Sequence, residues 1–271
     1  MSWWGKLIGG TFGFMLGGPL GAALGAALGH NFDRGMQRID ADGISSGADV
    51  EKIQSAFFTA SFYMMGHIAK ADGRVSPQEI QVAQQVMQQM NLSAQQKKVA
   101  IRLFDQGKNQ DIPAADILEQ FRKECHRRRN LIQMFLEILI MTAYADGSLH
   151  QAEEKILWDC ANQLGFNKFL FRQILNSIKA QHHYHQQGGQ SSGRSAADSR
   201  SMSLDDAYKL LGIAASASDQ ELKRAYRRQM NQHHPDKLVS KGLPQEMMEI
   251  ANQKTQDIRT AYELIKQKRK S

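Results

Sequence analysis

His234, Pro235 and Asp236 are consecutive, and they set an imidazole and a carboxylate on either side of a residue that fixes the backbone. Proline disfavours helix in the residue before it, so the three belong at a turn. Two chemistries fit: an acid-base pair, or a rigid tip offered to another protein. No nucleophile and no phosphate-cradling loop accompanies the pair, so the enzyme reading is rejected. Upstream, Lys223 and Arg227, and Arg224 and Arg228, repeat at a spacing of four, which places them together on one helix face. Cations so arranged steer an acidic partner and hold it. A basic face alone is ordinarily solvated, and His-Pro-Asp alone is ordinarily a turn. Their joint occurrence argues for a protein-protein switch.

Carboxylates give a second candidate. Ala71-Asp72-Gly73-Arg74-Val75 followed by Glu79 is echoed by Ala145-Asp146-Gly147-Ser148-Leu149 followed by Glu153. Paired Asp and Glu are hard oxygen ligands for a divalent metal, but a calcium loop needs acidic positions between them that are absent. The structural reading is simpler: Asp-Gly ends one helix in a left-handed turn, and Ser76-Pro77-Gln78-Glu79 opens the next as a capping box. No cofactor is implied. Cys125 and Cys160 form neither a C-x-x-C pair nor a zinc set, which makes a reducing compartment the default for the main body.

The elements that position these residues are helical. In the 271-residue chain, 42% apolar and 23% charged residues make an ordinary globular balance. The net charge of +7 and isoelectric point near 9.4 fit an acidic protein, an anionic membrane or nucleic acid; no recognition motif supports nucleic acid. The fold class expected is all-α. Residues 1–6 form a short N-terminus, 7–30 a transmembrane helix, 31–50 a linker, 51–180 a helical bundle, 181–202 a flexible linker and 203–271 a terminal helical hairpin. Positions 7–29 carry no charge, and as a helix they would extend about 35 Å, enough to cross a bilayer. A cleaved signal peptide, peripheral association and burial in an oligomer are the competing readings of this weakly hydrophobic stretch. Gly9, Gly13, Gly17, Gly21 and Gly25 recur every fourth residue, a ridge that lets helix backbones meet in lipid and predicts a homodimer through the span. Pro19 is expected to kink the helix near its middle. His182, His183 and His185 fall in a polar tract that reads as a tether, with a reach of roughly 25 Å.

In the terminal segment, Leu204 to Leu211 predicts a short helix stopped at Gly212, and Ser218-Asp219-Gln220-Glu221 caps a second. Leu222, Tyr226 and Met230 point inward from it. A third helix, from about Pro244 to Lys268, offers Met247, Ile250, Ala251, Ile258, Ala261, Tyr262 and Ile265 in return.

The motifs Asp206-Ala207-Tyr208-Lys209-Leu210-Leu211-Gly212, Lys223-Arg224-Ala225-Tyr226-Arg227, His234-Pro235-Asp236-Lys237 and Ala261-Tyr262-Glu263 resemble a J-domain in order and spacing. The resemblance implies a co-chaperone that stimulates the ATPase of a DnaK-type chaperone: Lys223, Arg224, Arg227 and Arg228 dock on its acidic face, and His234, Pro235 and Asp236 trigger hydrolysis. The short fourth helix common in that family is missing or reduced to the basic tail. The glycine/phenylalanine-rich and zinc-binding segments of larger relatives are absent, which puts independent client binding in doubt. The two Ala-Asp-Gly passages resemble the TerB-like family of helical domains, which implies a bundle with a ligand or protein surface, and leaves a metal- or tellurite-response role as the alternative. The whole arrangement is similar to membrane-anchored DnaJ-like co-chaperones of Gram-negative bacteria. That similarity implies an inner-membrane protein with its bulk in the cytoplasm, dimerising through its span, in envelope-stress signalling that controls capsule synthesis.

Overall fold

The computed structural model describes residues 16–28, 46–71, 87, 90, 92–187 and 202–270, and every regular element among them is helical. In chain order the α-helices are α1 (Gly18–Leu28), α2 (Ser46–Ala69), α3 (Ala94–Asn109), α4 (Ala114–Glu124), α5 (Arg129–Ala143), α6 (Gln151–Gln163), α7 (Lys168–Gln187), α8 (Leu204–Leu211), α9 (Asp219–His233), α10 (Pro235–Val239) and α11 (Met248–Lys268), with a 3-10 turn at Gln245–Met247 before the last.

α2 and α5 are apolar on almost every side, the pattern of a helix at the centre of a bundle. Phe57, Phe58, Phe62, Tyr63 and Met64 of α2, and Phe135, Leu136, Leu139 and Ile140 of α5, have at most 1% of their surface exposed. Phe57 meets Phe121 and Phe135 edge-on, with ring centroids 5.9 and 5.8 Å apart. α2 crosses α3 at a pair of glycines. A β-carbon on Gly66 would lie 1.9 Å from the Phe104 carbonyl oxygen, and one on Gly107 would lie 1.9 Å from that of Tyr63, so only glycine lets the backbones approach this closely.

The N-terminal helix departs from expectation. Gly17 and Gly18 both have φ of +55°, a left-handed conformation that breaks the run expected over 7–30, and α1 begins at Gly18. Pro19 therefore falls in a first turn, where its missing N–H is not needed, and it causes no mid-helix kink. The Gln120 side chain takes over the broken backbone bonds: Oε1 accepts from Leu20 N at 2.7 Å, and Nε2 donates to the carbonyls of Leu16 and Gly17 at 2.8 and 2.9 Å. Arg102 donates to the Ala27 carbonyl at the other end, at 2.9 Å. Leu20, Ala23, Leu24 and Ala27 are fully buried, with α1 lying on α2, α3 and α4. Among the described residues, no helix is long and apolar enough to cross a membrane. Of the glycine ridge, Gly9 and Gly13 lie outside the described residues, Gly17 is exposed, Gly21 buried and Gly25 half-buried.

α7 runs to Gln187, past the start of the linker expected at 181. The polar tract finds partners that keep it helical: His182 lies 3.2 Å from the Ala145 carbonyl, and His185 lies 3.0 Å from Asp257. Residues 188–201 are outside the described set. The terminal segment has its own core of Ala207, Leu210, Leu211, Leu222, Ile258, Ala261 and Ile265. Yet Leu238, Leu243, Met247, Ile250 and Ala251 join the core of the bundle. Gln54 of α2 donates to the Leu243 carbonyl at 3.4 Å. In place of a freely searching domain, the structure has one docked on the bundle.

Candidate functional site

α9 is built by local signals. Ser218 Oγ accepts from Glu221 N at 3.3 Å, and Glu221 Oε2 accepts from Ser218 N at 2.7 Å, which completes the capping box. The Ser218 N–H and then the Ser218 hydroxyl, both donating to the carboxylate, hold the Glu221 carboxyl below its usual value. Gly212, with φ of +67°, ends α8 in the left-handed turn that glycine permits. Leu222 and Ala225 are buried, and Tyr226 stacks on Tyr262 with centroids 4.2 Å apart.

The opposite face carries Lys223, Arg224, Arg227 and Arg228, all exposed. Lys123 and Lys209 pair with Glu119 and Asp205 one turn away, whereas these four make no ion pair among the described residues.

His234 is at once the C-cap of α9 and the N-cap of α10, extended at φ −58° and ψ 123°, with Pro235 opening α10. The proline forces that geometry on the residue before it. The side chain of Asp236 is 87% exposed and that of His234 44%, with His234 Nδ1 4.0 Å from Asp236 Oδ2. That separation is too long for a hydrogen bond, so the two form no proton-relay pair. They form a fixed, reachable tip.

The residue before the tip was missed in the sequence. His233 is 2% exposed, and its Nε2 lies 2.9 and 3.1 Å from the two oxygens of Glu137, while Nδ1 lies 3.0 Å from the Gln229 carbonyl. Both ring nitrogens face acceptors, so both contacts are hydrogen bonds only when each nitrogen carries its proton. Lys254 Nζ stands 3.6 Å from Glu137 Oε2 and donates to Gln181 Oε1 at 3.1 Å. Gln133 donates to Glu137 at 2.8 Å, and Gln181 Nε2 donates to Asp257. Burial pushes the Glu137 carboxyl up, but His233 and Lys254 outweigh it and hold its pKa at about 2. The bundle thus contributes the buried Glu137 carboxylate to this joint, and the terminal segment contributes His233, Lys254 and Asp257, the last of which also faces His185 of α7. A signal existed: Glu137 is the one acid in α5, set among Phe135, Leu136, Ile138 and Leu139.

The carboxylates considered for a metal have local duties where they can be seen. Asp146 accepts from Ser148 N at 2.8 Å beside Gly147, whose φ is +88°, and Glu153 accepts from His150 N at 2.9 Å as the cap of α6. Asp72, Glu79 and the capping box at Ser76 lie outside the described residues. Among the described residues, no group of three or more His, Cys, Asp or Glu could hold a metal ion. Cys125 and Cys160 are free and buried.

Three family models match successive parts of the chain. Residues 1–39 match the family described as co-chaperone DjlA transmembrane domain, residues 58–176 match tellurite resistance protein TerB, and residues 206–271 match the DnaJ domain. No solved structure matches the chain. The co-chaperone protein DjlA of Photobacterium profundum is 45% identical over 98% of this chain and 99% of its own. Those of Shewanella oneidensis and Coxiella burnetii are each 44% identical over 99% of both chains. An N-terminal segment of transmembrane type, a TerB bundle and a J-domain, in that order and over the full length of these relatives, place the chain in the DjlA family of co-chaperones.

Proposed function

We propose that the chain is an inner-membrane co-chaperone that stimulates ATP hydrolysis by a DnaK-type chaperone through its J-domain and catalyses no reaction itself. The observation that carries the reading is the reachable His234-Pro235-Asp236 tip, fixed at the end of a helix whose exposed cations make no ion pair among the described residues. The match of residues 206–271 to the DnaJ domain supports it. A partner driven by ATP requires the bulk of the chain to face the cytoplasm. The N-terminal segment that matches the DjlA transmembrane domain would hold the chain in the bilayer and join two copies there, and envelope-stress signalling to capsule synthesis is the process served.

The test is the steady-state ATPase rate of the DnaK-type chaperone with the full chain in lipid nanodiscs, beside His234→Gln. The parent stimulates and the variant does not. A parent that leaves the rate unchanged refutes the assignment.

A further inference from the structure

The run Arg127-Arg128-Arg129 has no part in the function as stated so far, although it lies against the J-domain. It spans the end of the turn between α4 and α5 and the first residue of α5. Arg127 holds a left-handed φ of +62° without being glycine, a conformation that costs about 1–2 kcal/mol and points to a constraint at this turn. Its side chain is exposed. Arg128 Nη1 donates to the Lys241 carbonyl at 2.8 Å, which ties the turn to the loop after tip-bearing α10. Arg129 lies over the Phe166 ring, 5.4 Å from its centroid, and it shares with Arg228 of α9 an open cleft between α5, α7 and α9.

The charges in that cleft do not balance. Its one carboxylate is Glu137, 3% exposed and committed to His233 and Lys254. Lys209, also on the wall, is paired with Asp205. Arg129 and Arg228 are exposed and have no ion-pair partner among the described residues. Like charges gathered at a surface repel until a partner neutralises them, and they attract such a partner over about 8 Å at physiological salt.

We propose that the bundle supplies part of the docking face: Arg127 and Arg129, with Arg228 and the rest of the α9 cations, form one positive surface across the joint, fitted to an acidic protein surface that touches both domains. The inference rests on the co-chaperone reading and adds to it that the chaperone's acidic face reaches beyond the J-domain. Arg128 and the Glu137 network hold the two halves in register.

The experiment titrates the full chain in nanodiscs against the ATPase rate of the DnaK-type chaperone at low and high salt, for the parent, Arg127→Glu, Arg129→Glu, Lys155→Glu and His234→Gln. Lys155 is exposed on α6, away from the cleft, and controls for a change of charge elsewhere. Arg127→Glu and Arg129→Glu should each raise the concentration for half-maximal stimulation by about three- to tenfold at low salt, with the gap narrowing at high salt. Lys155→Glu should follow the parent. Should Arg129→Glu lose its fold with the Phe166 contact, Arg127→Glu carries the test. If His234→Gln abolishes stimulation while both arginine reversals titrate like the parent, the composite face is overturned and the co-chaperone reading stands. If the parent itself fails to stimulate, or His234→Gln stimulates as well as the parent, the co-chaperone reading falls and takes this inference with it.

Discussion

Glu137→Gln is the substitution that isolates the joint, because it removes a charge without leaving a cavity. Glu137, His233, Lys254 and Asp257 are 3%, 2%, 3% and 1% exposed, and Glu137 is the carboxylate that both His233 and Lys254 face. With Glu137 neutral, Lys254 and a protonated His233 lose the carboxylate that both face, and an amide offers one acceptor where there were two. Removing one member of a buried ion pair costs about 3–5 kcal/mol; the retained acceptor puts Glu137→Gln near the lower end, about 3 kcal/mol. The loss falls on docking more than on either core, so local opening should show it first. Hydrogen exchange of the α9 and α11 amides in the full chain is the assay, and a loss of that size means exchange faster by on the order of 100-fold. His233→Gln and the double variant complete a cycle. The coupling should reach at least about 1.5 kcal/mol, because each residue's cost depends on the other being present. Single effects that add to within about 0.5 kcal/mol would refute the account of the joint.

Three further outcomes follow from the geometry. The hydrogen bond to Asp257 raises the His185 pKa, with burial opposing; the folded chain therefore holds that proton more tightly than the unfolded one. The contribution is complete below the ordinary value of 6.5 and fades as pH rises through the raised one, so protection at the end of α7 should fall with pH, and Asp257→Asn should flatten that profile. Gly66→Ala drives a β-carbon into the Phe104 carbonyl; it should cost about 1–3 kcal/mol or more and lower Tm by at least about 2 °C in a thermal melt, whereas an unchanged melt would contradict the close α2 and α3 crossing. Ser218→Ala removes the α9 cap and should cost about 1 kcal/mol, read as faster exchange in the first turn of α9 and a rise of the Glu221 pKa toward its usual value, with the rest of the chain unaffected.

The J-domain was legible because its signals are local. Ser218 and Glu221 cap one another within three residues, Gly212 stops a helix by its own conformation, and Pro235 dictates the backbone of His234. The bundle was legible as helix from its apolar period, and the second Ala-Asp-Gly passage as a turn and a cap. What could not be read depends on residues far apart in the chain. Glu137 and His233 are separated by 96 positions, and nothing near either names the other. Gln120 is 100 residues from Leu20, whose N–H it caps, so the break at Gly17 was hidden behind an uninterrupted apolar run. The tract from Gln181 was too polar to fold by itself, and composition gave a tether; Asp257 and the Ala145 carbonyl, supplied by other parts of the fold, keep His182 and His185 in α7.

A buried network of charges is a poor source of stability, since desolvation offsets most of the attraction, and the apolar contacts of Leu238, Leu243 and Met247 suffice to hold the J-domain on the bundle. Apolar contacts, however, are tolerant of sliding and rotation. Charges are not: a J-domain turned by one helical step would leave Lys254 or Asp257 buried without its opposite, at a cost of several kcal/mol, while Glu137 would face apolar side chains. The arrangement that gives each of these groups its partner therefore selects one orientation among the many that the core would accept. His233 is the neighbour of His234 in the chain, so the joint fixes the backbone one residue from the tip. The direction in which the tip points relative to Arg129 and to α1 is then a property of the fold, and not of a tether.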